Sequence, residues 1–195
     1  MRGTLPTELR TERLVVRRYR SADAALLKDA IDASLDHLKA SVAWAVHEPT
    51  PVDTLAQRLT HFGEAFNTSD SWGFAVLDLS ETRILGGCGC ERAESALERL
   101  IGADALEVGY WLRADAVGQG IATEATGALV RAIFEHLRPA RVAICHDPAN
   151  VASGRVPQRL GFRLHGTVGQ DVLPGRQAAD GSLRAETTVW VREGG

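Results

Sequence analysis

Six residues carry the sharpest chemical signal in the chain: Gly118-Gln119-Gly120-Ile121-Ala122-Thr123. An amphipathic helix begins inside them, with Ile121, Ala125, Ala128, Leu129, Ala132, Ile133 and Leu137 on one face. The first N–H groups of a helix have no intrahelical acceptor, and the macrodipole adds partial positive charge there. A phosphate is a natural ligand for such an end. Gly118 and Gly120 let the backbone turn tightly and come close to that ligand, and the Thr123 hydroxyl can add a contact. A plain glycine turn before a helix is the structural alternative, and the spacing alone leaves it open.

Two well-known phosphate fingerprints fit poorly. No Gly-Lys-Ser/Thr follows the glycines, which excludes a Walker A loop. The pattern G-x-G-x-x-G is met at Gly118 and Gly120, but Thr123 stands at the third glycine. The acidic residue wanted about 20 residues later is missing, Asp147 coming too late. The run Leu106 to Leu112 ahead of the turn also alternates, unlike a uniformly apolar central parallel strand. A dinucleotide-binding oxidoreductase domain is therefore disfavoured.

Periodicity outlines the elements that must hold this turn. Leu14-Val15-Val16 reads as a first strand, and Ser21 as the N-cap of a helix beginning at Ala24 to Leu27. A second helical stretch through the thirties and early forties ends at Pro49 and Pro51. Asp53 caps a helix whose face is Leu55, Leu59, Phe62 and Phe66. Trp72 to Leu79 and Ile84 to Cys90 form a hairpin across Ser80-Glu81-Thr82-Arg83. Glu91 to Asp104 is a polar connection with helical character around Ala93 to Leu100. Leu106 to Leu112 is the fourth strand, with Val108, Tyr110 and Leu112 on one face and Glu107, Gly109 and Trp111 on the other. After the glycine turn and its helix come a strand at Arg141 to Cys145 and a helix at Ser153 to Leu160, with Gly161 as its C′ residue. Phe162 to Val168 and Thr187 to Val191 are the last strands, joined by a polar loop with an Asp180-Gly181 turn. Residues 1–10 read as a loose lead-in.

The 195 residues suit one domain, taken as 1–195, with 45% hydrophobic and 24% charged residues. A net charge of -3 without a basic run argues against nucleic-acid or anionic-membrane partners. No signal-like start and no apolar run of about 20 residues is present, so a cytoplasmic protein is expected. Cys88, Cys90 and Cys145 are expected to be free thiols acting as small buried hydrophobes. Cys145-His146 lacks any metal-ligand spacing, so no metal is expected.

The block Leu106 to Leu112 followed by Val117-Gly118-Gln119-Gly120-Ile121-Ala122-Thr123-Glu124-Ala125 resembles the central motif of the GCN5-related N-acetyltransferases, Gln/Arg-x-x-Gly-x-Gly/Ala. Asn150-Val151-Ala152-Ser153 with Leu160-Gly161-Phe162 resembles that family's Asn-x-x-Ser…Leu-Gly-Phe segment. Thr11-Glu12-Arg13-Leu14-Val15-Val16-Arg17 is similar to the first strand of the Rim-type branch, which includes ribosomal-protein N-terminal acetyltransferases. The likeness covers roughly residues 9–192. Val117 departs from it, standing where Gln or Arg is usual.

The resemblance implies an α+β fold: a mixed, mostly antiparallel, seven-stranded sheet splayed between strands four and five, with helices on both faces. It implies acetyl-CoA as co-substrate, no metal, and direct acetyl transfer to a primary amine within a ternary complex. The acceptor is a protein N-terminus or a small-molecule amine, and a homodimer is left open. The backbone of Tyr110, Trp111 and Leu112 would hold the pantetheine arm and supply an oxyanion donor. Amides from Val117, Gly118, Gln119, Gly120, Ile121, Ala122 and Thr123 would hold the pyrophosphate, and Asn150 would bond the pantetheine. Ser153 is the candidate for thiolate stabiliser or general acid, or else a helix-start residue. The branch's tyrosine acid is missing, Val156 and Pro157 standing near its place.

Glu107 is the first candidate base, since partial burial would raise its pKa; its alternative is a solvated carboxylate or ion-pair partner. Glu94 is the rival, and water-mediated deprotonation without a dedicated base is the third option. Trp44, Trp72 and Trp111 are candidate acceptor-pocket walls, Trp72 and Tyr110 being read more readily as core. His37, His47 and His61 are expected at the surface or in the core. A non-catalytic acyl-CoA-binding module is the competing function.

Overall fold

Eight strands and six α-helices alternate along the chain in a computed structural model that describes residues 3–68 and 71–194. The first half runs β1 (Glu8–Arg10), β2 (Leu14–Arg18), α1 (Ala24–Asp32), α2 (Leu35–Lys39), α3 (Val52–Thr68), β3 (Ser71–Asp78), β4 (Ile84–Arg92) and α4 (Ser95–Ile101). The second half runs β5 (Ala105–Leu112), α5 (Ile121–Ala132), β6 (Arg141–His146), α6 (Val151–Arg159), β7 (Arg163–Gly169) and β8 (Glu186–Glu193). They build one sheet in the order β1-β2-β3-β4-β5-β6-β8-β7. Every pairing is antiparallel except β5 with β6.

The sheet is therefore mixed and mostly antiparallel, as expected, but it has eight strands where seven were expected. The extra strand, β1, falls in the supposed lead-in. It pairs Glu8 with Arg17 and Arg10 with Val15 at the sheet edge. Three residues with one apolar member are too short to show a period of two. Met1, Arg2 and Gly195, the outermost residues of the expected domain, lie outside the described residues.

The central strands are buried on both faces, and their pleat sorts residues between two cores. Leu14, Val16, Phe74 and Val76 join Ile121, Ala125 and Leu129 of α5. Val15, Ala75 and Leu77 join Leu27, Ile31, Leu55 and Leu59 of α1 and α3. Alternate residues point to opposite faces, so helices on both sides require apolar residues throughout. Each fully buried Leu, Val or Phe contributes about 1.5–3 kcal/mol.

Three helix starts differ from expectation. Ser21 opens a short 3-10 turn, and the cap is supplied by Asp23, whose carboxylate accepts the Arg20 N–H at 2.8 Å. Asp53 sits in the first turn of α3, because the Leu55 N–H already reaches the Pro51 carbonyl at 3.0 Å. The helix expected from Ser153 begins at Val151, because the Asn150 side chain accepts the Ser153 N–H at 3.0 Å. Its other end is as expected. Gly161 has φ +73°, and the Gly161 and Phe162 N–H groups close the helix on Gln158 at 3.3 Å and Pro157 at 3.0 Å. Among the described residues no helix is long and apolar enough to cross a membrane.

One discontinuity divides the sheet. β5 and β6 pair only over Ala105–Glu107 and Arg141–Ala143. Beyond that, β5 stays with β4 while β6 stays with β8, and the sheet splits.

Candidate active site

The split leaves one edge of β5 without a strand partner between Val108 and Leu112. Peptide groups on such an edge must find other acceptors and donors, as an exposed strand edge does. The backbone of Tyr110, Trp111 and Leu112 lies on this unpaired edge. The N-terminus of α6 faces β5 across the gap. Tyr110 reaches over: its O–H donates to the Ser153 carbonyl at 2.8 Å and lies 3.1 Å from the Ser153 hydroxyl. Tyr110 is thus half-buried in the gap, with its polar end committed to α6, not a plain core residue. Burial pushes its phenol up to about 12 despite the Ser153 hydrogen bond, so it keeps its proton at neutral pH.

At the far end of β5 lies the glycine turn. Gly118 has φ +76° and Gly120 φ +79°, a region L side chains rarely adopt. The first backbone bond of α5 runs from the Glu124 N–H to the Gly120 carbonyl at 3.0 Å, and no side chain caps the helix. The N–H groups of Ile121, Ala122 and Thr123 are left without intrahelical acceptors, ready for an anion. Val117 stands 45% exposed at the turn's start.

An ion-pair lattice that the sequence did not reveal braces this turn. Arg13 of the β1–β2 turn donates to the Gln119 carbonyl at 3.1 Å. Glu124 accepts from the Thr11 hydroxyl at 2.5 Å, the Arg13 N–H at 3.1 Å and Arg13 Nε at 2.7 Å. Burial would raise the Glu124 pKa, but the hydrogen bonds from Thr11 and Arg13 outweigh it and hold the carboxyl low. Its negative charge is spent on Arg13, so it does not repel an anion at the helix end.

On the other side of the sheet the gap opens into a cleft of about 760 Å³. Its floor is the β4–β5 ladder, where Gly87 faces Trp111, Gly89 faces Gly109, and Glu91 faces Glu107. The central glycine pair makes a trough with no side chains. A Cβ built on Gly109 meets nothing within 4 Å. At the upper end, Trp111 packs edge-on against Trp44, with ring centroids 5.6 Å apart. Gly87 permits this wall, because a Cβ there would lie 2.4 Å from the Tyr19 hydroxyl and 2.6 Å from the Trp111 indole nitrogen. Trp72 also touches the cleft, though it is 1% exposed and belongs to the core. His47 lines the cleft, while His37 and His61 are surface residues.

The lower end of the trough is charged. Both Glu107 oxygens accept from Arg176 of the β7–β8 loop, at 2.6 and 2.8 Å. Glu107 thus takes the ion-pair alternative. The partner lies 69 residues away, which no local pattern could show. Glu94, the rival, is exposed at the start of α4 and outside the cleft lining. The residue that sequence reasoning missed is Glu91. Glu91 lines the cleft from an exposed position at the end of β4, and partial desolvation there raises its pKa, helped by repulsion from Glu107 and Glu94 and opposed by Arg176. The signal was available: a carboxylate two positions beyond Gly89 shares its face on the same strand.

Asn150 spends its carboxamide oxygen on the α6 cap, leaving its NH₂ group for a ligand. The His146 ring is fully engaged, accepting the Trp190 indole N–H at 3.1 Å and bonding the Asp147 carbonyl at 2.8 Å. Cys88 and Cys90 are buried free thiols in the core, and burial pushes the Cys145 thiol up as well.

The family model for the acetyltransferase (GNAT) domain matches residues 13–163. The chain belongs to the GNAT family. That span runs from Arg13 through the glycine turn and α6 to the first residue of β7. YdaF of Bacillus subtilis (strain 168), a candidate ribosomal N-acetyltransferase, is 43% identical over 60 residues, 31% of this chain and 33% of its own length. YjcK of the same organism, a candidate N-acetyltransferase, is 27% identical over 122 residues, 62% of this chain and 64% of its own length. The chain therefore matches between a third and two thirds of these curated relatives. The GNAT fold itself is seen end to end in the crystal structure of the microcin C7 self-immunity acetyltransferase MccE with acetyl-CoA and AMP. That structure has a TM-score of 0.80 at 17% identity and covers 98% of both chains.

Proposed function

We propose that this GNAT protein transfers the acetyl group of acetyl-CoA to a primary amine by direct attack within a ternary complex. One observation carries the reading. The open β5 edge runs straight into the uncapped α5 N-terminus, and the same gap communicates with a cleft holding a carboxylate of raised pKa. A ligand with an amide-rich arm and a pyrophosphate fits that continuous line, from Val108 to Thr123. MccE, of the same fold, was crystallised with acetyl-CoA.

Acetyl-CoA supplies an activated thioester, and the chain supplies four things. The Gly118–Thr123 amides neutralise the pyrophosphate. The free edge of β5 hydrogen-bonds the pantetheine amides, with the Asn150 NH₂ group opposite, and a β5 N–H donates to the acetyl carbonyl oxygen. Glu91 removes the proton that the attacking ammonium must lose. Its raised pKa brings it nearer the operating pH, which favours a general base. Tyr110, with Ser153 beside it, donates a proton to the departing sulfur as the carbon–sulfur bond breaks. Glu107 acts through Arg176, holding the β7–β8 loop over the cleft, and Glu94 takes no part.

The acceptor is a protein N-terminus or a small-molecule amine, and the likeness to YdaF favours a ribosomal protein. Free thiols at Cys88, Cys90 and Cys145 accord with a cytoplasmic location. The test has two arms. Acetyl-CoA and CoA, but not NAD, should raise the melting temperature by the amount RT ln(1 + [L]/Kd) allows. Thiol release should then follow addition of an amine from a panel of peptides and small amines. Tight acetyl-CoA binding with no turnover on any amine would leave only an acyl-CoA-binding module.

A further inference from the structure

Arg184 precedes β8 and lines the acceptor cleft. Its backbone is firmly held: the N–H donates to the Arg176 carbonyl at 2.7 Å, and its carbonyl accepts from the Gln170 side chain. Its guanidinium is not. The side chain is only 18% exposed, and Nε is buried without a hydrogen-bond partner. It forms a loose ion pair with Asp147, Nε to Oδ2 3.7 Å, too far for a hydrogen bond. Asp147 has other work, since its Oδ1 accepts the Ala149 N–H at 2.8 Å in the approach to α6. Burial pushes the Arg184 pKa down, the charge of Asp147 offsets part of that, and Arg176 adds repulsion.

Arg176 and Arg113 also carry a buried Nε without a hydrogen-bond partner, so the contrast lies in the rest of the guanidinium. Arg176 is held by both oxygens of Glu107, and Arg17 by Asp23 and Glu81. A largely desolvated cation without a firm partner is costly. Where it lines a cleft, a ligand anion is the economical way to satisfy it. Glu91 and Arg184 flank Glu107: Glu91 faces it across the ladder, and Arg184 feels its charge. The trough thus offers a carboxylate for an ammonium on one side and an unsatisfied guanidinium on the other.

We propose that Arg184 binds an anionic group carried close to the amine that is acetylated, so that the acceptor is zwitterionic, like an amino acid. This rests on the acetyltransferase reading above. The anion is a carboxylate from one of two sources: the α-carboxylate of a free amino acid, or an acidic side chain next to a peptide's N-terminus.

The experiment measures kcat/KM in the thiol-release assay for matched acceptors that differ in the anion, each value referred to the fraction of free amine. One arm compares alanine with alaninamide. The other compares Ser-Asp with Ser-Asn at the start of an amidated peptide. The wild type should prefer the anionic member of one arm by about 10- to 100-fold, as expected for a charge-assisted hydrogen bond, and the preferred arm identifies the source. Arg184→Gln should bring that ratio near one by raising KM for the anionic acceptor, and Arg184→Lys should restore part of it. Acetyl-CoA thermal shifts on each variant confirm folding. Turnover without preference in either arm overturns this inference alone. So does an Arg184→Gln protein that loses both members equally, or that loses acetyl-CoA affinity instead. No turnover with any acceptor overturns the acetyltransferase reading and this inference with it.

Discussion

Replacing Gly109 by alanine separates function from fold more cleanly than any other change in the cleft. The strand is extended there, and the new Cβ would meet no protein atom within 4 Å. Glycine inside a strand costs about 0.5–1 kcal/mol relative to alanine through lost chain entropy. Gly109→Ala should therefore be as stable as the wild type or slightly more so. For a chain of this size, that is a rise in melting temperature of about 1–4 °C. The neighbouring glycines offer no such freedom. A Cβ on Gly89 would lie 2.7 Å from the Trp72 carbonyl oxygen, and one on Gly87 2.4 Å from the Tyr19 hydroxyl. At position 109 the methyl enters the trough between Trp111 and Glu107, where the proposed reaction brings acceptor and thioester together. Reacting groups displaced by about 1 Å lose about 100-fold in rate. Steady-state thiol release on the best acceptor should show that loss in kcat/KM, beside an unchanged or higher melting temperature. Wild-type activity in Gly109→Ala would mean that no substrate crosses the Gly89–Gly109 floor, and the placement of the acceptor would be wrong.

Other outcomes follow from the same geometry. Glu91→Gln should lower kcat/KM by about 100- to 10,000-fold and abolish the acidic limb of the pH–rate profile, while leaving acetyl-CoA affinity intact. Because the folded-state pKa of Glu91 is raised, its ionisation costs stability as pH climbs from the unfolded value through the folded one. Glu91→Gln should therefore be no less stable at neutral pH, as a melting curve at two pH values would show. Tyr110→Phe and Ser153→Ala should each reduce kcat, Tyr110→Phe by about 100-fold or more; a rate limited by leaving-group protonation is the premise, and full activity in Tyr110→Phe would reject it. Glu124→Gln loosens the brace on Arg13 and the glycine turn. It should weaken acetyl-CoA binding about tenfold by calorimetry, with kcat at saturation little changed.

The order of elements was legible in the sequence because local rules govern it. The spans of β3 to β5, the facing of residues along β5 and the helix opening at Ile121 survive into the structure within a residue or two, the helix changing its winding at Ile133–Leu137. So does Gly161, whose left-handed backbone closes α6. What escaped was set by partners distant in the chain. β1 has too little apolar content to announce itself, and it forms because β2 offers an unpaired edge. Ser153 and Asn150 showed as motif residues, but the tie between Ser153 and Tyr110 crosses 43 positions.

By itself the sequence determined the glycine turn at Gly118 and Gly120 and the helix that follows, for reasons of backbone sterics and periodicity. It also determined which residues share the cleft face of β5. The tertiary structure alone decided which carboxylate remains available. Glu107 and Glu91 stand side by side with the same chemistry. Only Glu107 meets Arg176, brought in by a loop 69 residues away, and its charge then helps to raise the pKa of Glu91. Folding likewise left Arg184 half-buried, with only Asp147 at 3.7 Å as an ion-pair neighbour. A side chain's charge is written in the sequence, but its solvation and its counter-ion are properties of the packed chain.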